Sequence, residues 1–447
     1  MNWKSATLGG WGRTSMVPMQ TCRPERLGDI RRALGEVGPE GLVVRGGARS
    51  YGDLAVNGGG RALLTERLNR LLSFDSNTGI LVSEPGVTFF DLMQVFLPRG
   101  FIVPVSPGTG FATLGGAVAA DVHGKNHDWA GSFGDHLLWL DLMLASGEVV
   151  RASPEERPEL FAATIGGLGL TGVVTALAVR LMRLPSPALT VRRQPARDLD
   201  TLLAELESRR DRATFSVAWV DALARGGSLG RGIVETADPA PEAGPLAPSR
   251  SAWTVPDLFP SATLNRASVW AFNRWYYRRV PTAGQVRTMS FEQFLYPLDR
   301  LLHWNRIYGR RGFFQFQCVL PEEDGANGLR EILEMAAKAH GASFLSVLKT
   351  LGKEGRGHLS FARRGYTLAL DFPRRGGTDV LLAMLERATL DHGGRVYLAK
   401  DARLSRVGFA AMYPKLDRFR AVLAEVDPEG RLSSDLARRL GLREEAI

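Results

Sequence analysis

Three dense glycine clusters fall within the first 172 residues, and they constrain the fold more than any other feature of the sequence. The first reads Arg45-Gly46-Gly47-Ala48-Arg49-Ser50-Tyr51-Gly52-Asp53. The second runs from Pro107-Gly108-Thr109 to Thr113-Leu114-Gly115-Gly116-Ala117. The third is Gly166-Gly167-Leu168-Gly169-Leu170-Thr171-Gly172. Consecutive glycines after a strand leave no Cβ to block the backbone, so N–H groups can converge on an anion. The second cluster runs into a helix N-terminus, whose free N–H groups favour phosphate. Three such loops in one region, two with polar or basic neighbours, point to a dinucleotide with a pyrophosphate.

The third cluster contains G-x-G-x-x-G, from Gly167 to Gly172. The nicotinamide-binding form of that motif needs a strand before it and a helix after it. Here residues 158–164 read as a helix and residues 173–184 as a strand, so the order is reversed and NAD binding on this motif is rejected. Between the second and third clusters lies His123-Gly124-Lys125-Asn126-His127. Two histidines at i, i+4 could hold zinc on a helix, but Gly124 interrupts the segment and no third ligand is near. A polar loop lining a pocket is expected instead, with His127 a surface or structural residue. The two cysteines, Cys22 and Cys318, are far apart and outside any CxxC pair. Neither a metal site nor a disulfide framework is expected from them.

A chain of 447 residues exceeds one ordinary core and implies about two or three domains. The first part alternates short strands and helices, giving an α+β unit that ends near Pro187. The middle mixes strands (residues 215–220, 313–320 and 366–372) with helices (325–340 and 379–392), as in a sheet covered by helices on one face. Residues 223–251 are rich in Gly, Pro and Ala, show little periodicity, and read as a lid or mobile loop. The tail, 397–442, is helical.

The formal net charge of +9 suits an anionic partner, whether phosphate, nucleic acid or an acidic membrane. No nucleic-acid motif accompanies it, so none is expected to bind. Residues 1–14 carry no apolar signal core. Residues 100–120 are uncharged over about the length of a span, but Pro104, Pro107, Gly108 and Gly110 break them. Neither a signal peptide nor a transmembrane helix is expected, and the expected location is cytoplasmic.

Residues 46–53, 107–116 and 123–127, with Gly131-Ser132-Phe133-Gly134, resemble the FAD-binding domain of the vanillyl-alcohol-oxidase flavoprotein superfamily. Further matches run nearly end to end. They include Gly10-Trp11-Gly12-Arg13, Trp219, Trp253 to Pro260, Pro297-Leu298-Asp299, Trp304-Asn305, Gln315, Gln317, Lys349, Ala399-Lys400-Asp401 and Ser434 to Arg438. These are similar to the family of oxidases acting on decaprenylphosphoryl-β-D-ribose, the flavin half of an epimerase pair.

That resemblance implies an α+β, two-domain flavoprotein. Residues 1–187 would be the first part of the FAD domain. Residues 188–395 would be a substrate domain with an antiparallel sheet and helices, and 396–447 would return to the FAD domain. FAD would be bound non-covalently, because the first loop offers no histidine or cysteine to bond it. Its contacts would come from Arg45, Gly46, Gly47, Ala48, Arg49, Ser50, Tyr51 and Gly52 in the first loop. Pro107, Gly108, Thr109, Thr113, Gly115 and Gly116 would serve in the second, with Gly124, Asn126, Gly172 and Lys400 beyond them. Lys400, Lys125 and Tyr51 are the catalytic candidates. A lysine desolvated or near another cation has a lowered pKa and can act as a base; contact with phosphate or a flavin carbonyl is the other role open to either lysine. His123, Trp219, Gln315, Gln317, Lys349, Thr367 and Ala369 would face the substrate.

The sequence departs from the family in the pocket wall. Ala369 stands where many members carry cysteine, Thr367 where asparagine is common, and Leu295-Tyr296 where a tyrosine–histidine pair is usual. The implied partners are a polyprenylphosphoryl ribose and a separate NADH-dependent keto-reductase. Contact with the inner membrane would come through the aromatic and arginine-rich segment 266–279, unless that segment is only a lid. An oxidase of a soluble polyol or aldonolactone, and a non-catalytic polyprenyl-phosphate binder, are the alternatives.

Overall fold

A computed structural model describes residues 1–210, 212–241, 252–339 and 344–443. Its first 183 residues build two larger sheets and a two-stranded one, Phe101–Ile102 with Met182–Arg183. A four-stranded sheet has the order Lys4–Gly9, Met16–Cys22, Arg61–Leu64, Leu42–Arg45, with the last three strands parallel. A five-stranded antiparallel sheet follows, ordered Leu71–Asp75, Ile80–Ser83, Val173–Arg180, Leu137–Met143, Val149–Ala152. The helix Phe89–Phe96 is capped by Thr88, which accepts from the Asp91 N–H while Asp91 reaches back. Its buried face is Phe89, Leu92, Met93 and Phe96, the stripe that period 3.6 dictates.

Residues 188–396 build an eight-stranded antiparallel sheet. The order is Gln285–Ser290, Ala188–Ala196, Gly232–Pro239, Phe215–Val220, Ser346–Leu351, Gly365–Pro373, Phe313–Pro321, Arg395–Val396. Alternation sets its two faces apart. Cys318 and Leu320 turn toward the helices Thr378–Asp391 and Gly325–Ala339, where they meet Thr389 and Gly328. Gln315 and Gln317 therefore turn the other way, and with them their cross-strand partners Asp371 and Ala369. The whole fold is α+β, with its helices and antiparallel sheets in separate layers.

One expectation fails here. Residues 232–239, expected in a loop, form a strand paired on both sides. Ile233 and Val234 are both buried, one on each face, so a central strand shows no alternation to read. Residues 242–251, the rest of the expected lid, lie outside the described residues.

The C-terminal helices come back to the first glycine loop. Leu432 bridges to Leu42, and the Asp435 carboxylate accepts from the Gly58 N–H at 2.9 Å. Arg439 pairs with both Asp53 (2.7 Å) and Asp401 (2.8 Å). Among the described residues, no helix is long and apolar enough to cross a membrane, and no cluster of ligating side chains could hold a metal ion.

Candidate active site

One cavity joins the glycine loops to the open face of the large sheet. Its upper wall is the loop Gly46, Gly47, Ala48, Arg49, Ser50 and Tyr51, with Pro107, Gly108, Thr109, Thr113 and Gly116. Its floor is the sheet face carrying Gln315, Gln317, Thr367, Ala369, Lys349 and Trp219. His123, Gly124, Lys125 and Lys400 complete the junction.

The upper wall is a cradle for an anion. A Cβ on Gly46 would sit 2.3 Å from Thr113 Oγ1, and one on Gly47 would sit 2.4 Å from the Phe111 carbonyl oxygen. Only glycine lets the two loops meet that closely. Ala48 takes a left-handed φ of 54°, which turns the backbone sharply. Among the described residues, the N–H groups of Gly47, Ala48, Arg49 and Ser50 donate to no other group of the chain. Arg49 lies 4.3 Å from the Trp11 ring centroid, and its buried Nε has no partner. Unpaired donors beside a cation fit the pyrophosphate of FAD.

Five expected cofactor contacts lie outside the cavity wall. Arg45 is spent on the carbonyls of Ala55 (2.7 Å) and Gly9 (2.8 Å), bracing the loop from behind. Gly52 packs against the Asp401 carbonyl, where a Cβ would come within 1.8 Å. Asn126 donates to the Pro104 carbonyl at 2.6 Å. Gly172, at φ 154°, opens the strand Val173–Arg180 against Met143. Gly115 donates its N–H to Pro85 (2.8 Å), and the neighbouring Leu114 and Gly116 N–H groups go to Val87 and Thr113. That helix N-terminus is therefore not a source of free donors; its partners come from distant sequence.

At the reacting end, Lys400 holds its amine 3.8 Å from the centroid of the Tyr51 ring. Burial pushes the amine down to about 7, and the Asp371 carboxylate acts against that fall. Gln317 donates to Thr367 Oγ1 (3.0 Å) and meets His123 Nε2 at 3.1 Å, while Lys349 Nζ lies 3.0 Å from His123 Nδ1. Burial holds His123 well below the usual imidazole range, so the ring is neutral. Either nitrogen of the neutral ring can accept from the amine or amide facing it, and Lys349 Nζ also donates to the Gly124 carbonyl at 3.2 Å. Burial, with the charges of Lys125 and Lys400, brings Lys349 down to about 7. Tyr51 is pushed well above its ordinary value by burial, so its hydroxyl stays protonated.

Lys125 is placed differently. Its amine donates to the Phe294 carbonyl and lies over the Phe294 ring, and burial lowers it to about 8. That contact directs the Lys125 amine onto the Phe294 backbone, whereas the Lys400 amine lies over the Tyr51 ring. His127 is fully buried, with Nδ1 accepting from the Gly352 N–H at 3.0 Å and Nε2 near Ser132 at 3.2 Å, which settles it as structural.

Residues 18–153 match the model of a family described as the FAD binding domain. A decaprenylphosphoryl-β-D-ribose oxidase of Mycolicibacterium smegmatis is 36% identical over 449 aligned residues, covering 97% of this chain and 97% of that protein. The chain belongs to the decaprenylphosphoryl-β-D-ribose oxidase family. An uncharacterised Streptomyces coelicolor protein is 38% identical over 80% of this chain and 100% of its own. A D-arabinono-1,4-lactone oxidase of Yarrowia lipolytica is 26% identical over 47% and 39%, respectively.

Membership of this oxidase family makes the chain an FAD-dependent oxidoreductase. Several groups at its site went unread in the sequence. Arg193 and Glu235 face each other across adjacent strands, pair at 2.6 Å and line the far end of the cavity. Tyr296, read in the sequence only as a departure in the pocket wall, meets Ser106 at 2.6 Å beside the second glycine loop. Asp299 accepts from Thr109 Oγ1 (2.8 Å) and the Gly110 N–H (2.7 Å), so a carboxylate from the region of the eight-stranded sheet fixes a loop of the FAD-binding domain. Asp299 lay within a quoted segment, but no local signal showed where its carboxylate would point.

Proposed function

We propose that this chain uses FAD to oxidise the ribose 2′-hydroxyl of a polyprenylphosphoryl-β-D-ribose, giving the 2′-keto sugar. The observation that carries the reading is the shared cavity, in which an anion cradle meets a polar sheet face beside a buried, depressed lysine. FAD, when bound, supplies the acceptor for the hydride leaving the carbinol carbon. The chain's own work is to hold the sugar and to take the hydroxyl proton. Gln315 and Gln317 share one sheet face and can bind sugar hydroxyls. Lys400, uncharged above about pH 7, accepts the proton at Nζ. Lys349 and Lys125 place positive charge toward a phosphodiester. Tyr51 and Trp219 close the pocket against water.

The helix Arg266–Arg278 supports a second part of the proposal. Phe272 and Tyr276 line the cavity, so one face of this helix is a lid. Trp270 and Trp275 are exposed on the helix, as is nearby Trp253. Arg274 and Arg279 lie over the Trp270 and Trp275 rings. Aromatic rings with arginines favour the headgroup region of anionic lipid. The same helix thus covers the pocket and docks the chain peripherally on a cytoplasmic membrane face, where the lipid substrate resides. A separate NADH-dependent reductase completes the inversion of the sugar to arabinose. Residues 1–187 with 396–447 act as the FAD domain, and 188–395 as the substrate domain.

The test is to incubate the holoenzyme with farnesylphosphoryl-β-D-ribose and an electron acceptor, then trap the product with borodeuteride. One deuterium at C2 is the expected mass-spectrometric result. Label at another carbon, or none, would reject the reading.

A further inference from the structure

Asp371 is a charged residue with no solvent exposure, and it lies behind the cavity wall, not in it. Burying a carboxylate is costly unless its oxygens are paired. Both are: Tyr308 donates its hydroxyl to one at 3.0 Å, and Gln315 donates its amide to the other at 2.5 Å. Tyr308 is itself locked by stacking on Phe313, with ring centroids 4.0 Å apart. Phe313 in turn packs edge-on against Tyr51, the ring beneath the Lys400 amine. Gln315 is the link to the pocket, since it lines the cavity on one side and holds Asp371 on the other.

Among the described residues, the cation that acts on Asp371 is Lys400. Among the described residues, the other groups near Lys400 include Lys349, the neutral His123 and the Tyr51 ring. None of these supplies a negative charge. We propose that Asp371 is a positioning residue for Lys400, held behind Gln315 as the counter-charge against which Lys400 takes up the substrate's hydroxyl proton. In that step the O–H bond breaks, its proton joins the Nζ lone pair, and its electron pair forms the carbonyl as hydride passes to FAD. The proposal rests on Lys400 being the base of the proposed reaction. The Lys400 charge favours the Asp371 carboxylate, and the carboxylate in turn favours the Lys400 ammonium.

The test uses the FAD holoenzyme with Asp371→Asn and Asp371→Ser, both neutral and both able to accept from Tyr308. Competitive acetic anhydride labelling across pH, read on the Lys400 peptide by mass spectrometry, gives the amine's midpoint without any substrate. Flavin reduction by farnesylphosphoryl-β-D-ribose gives the kinetic midpoint. Removing the anion should move both to lower pH by about one unit. An unchanged labelling midpoint in either flavin-bearing variant overturns the proposal. Loss of FAD from both variants also contradicts it, by making Asp371 a residue of the fold alone. If wild type is not reduced but the labelling midpoint shifts, the substrate reading falls and the Asp371–Lys400 pair stands.

Discussion

Lys400 and Tyr51 come from opposite ends of the chain, yet the amine of one lies 3.8 Å from the ring centroid of the other. The backbone enforces this: the Tyr51 N–H donates to the Ala399 carbonyl at 3.0 Å, and Gly52 leaves room for the Asp401 carbonyl. The first glycine loop and the turn that carries the proposed base are thus one unit. A buried amine over a ring face, with a buried carboxylate acting on it from behind Gln315, can lose and regain a proton near neutral pH.

Lys400→Ala should keep its FAD and lose flavin reduction by about 10² to 10⁴ in rate, the usual cost of a missing general base. In wild type the limiting rate should rise with pH through about 7, because the active form is the uncharged amine. Stopped-flow absorbance from pH 6 to 9 checks both. A mutant reduced at the wild-type rate would remove Lys400 from the chemistry.

FAD should be held without a covalent bond. The loop Gly47-Ala48-Arg49-Ser50-Tyr51 has no side chain able to bond the isoalloxazine. Acid precipitation should leave free FAD in the supernatant, measured by chromatography. Yellow pellets that resist washing would point to a bond elsewhere.

Arg439 joins Asp53 to Asp401, and both carboxylates are nearly buried. Arg439→Met leaves two carboxylates without their partner, which should cost about 3 kcal/mol. A denaturant melt of the holoenzyme measures it. A change under about 0.5 kcal/mol would place Arg439 among ordinary surface residues.

Replacing Arg274, Arg278 and Arg279 by glutamate should reduce sedimentation with anionic vesicles, since each basic residue near such a surface contributes roughly 1 kcal/mol, screened by salt. Activity on a short, water-soluble analogue should survive. Unchanged vesicle binding would leave the helix as a lid only.

Much of this was legible in the residues. The expected strand at 215–220 coincides with Phe215–Val220, and those at 313–320 and 366–372 lie within Phe313–Pro321 and Gly365–Pro373. The glycine loops announced their anion cradle because closely packed backbones need glycine locally. What stayed hidden depends on partners far away in sequence. Gly232–Pro239 is buried on both faces and lost its alternation. Gly115 offers its N–H to Pro85, not to a phosphate, and only the packed loops show it. Asp371, Arg193 and Glu235 enter the account only through sheet register, which sets Gln315 opposite Asp371 and Arg193 opposite Glu235.

The most direct test of the central claim is anaerobic titration of the yellow holoenzyme with farnesylphosphoryl-β-D-ribose, followed by the flavin absorbance. Stoichiometric bleaching by this compound, with none by xylitol or an aldonolactone, is the predicted result. A flavin that stays oxidised with the lipid-linked ribose, or is bleached as readily by the soluble polyol, would contradict it.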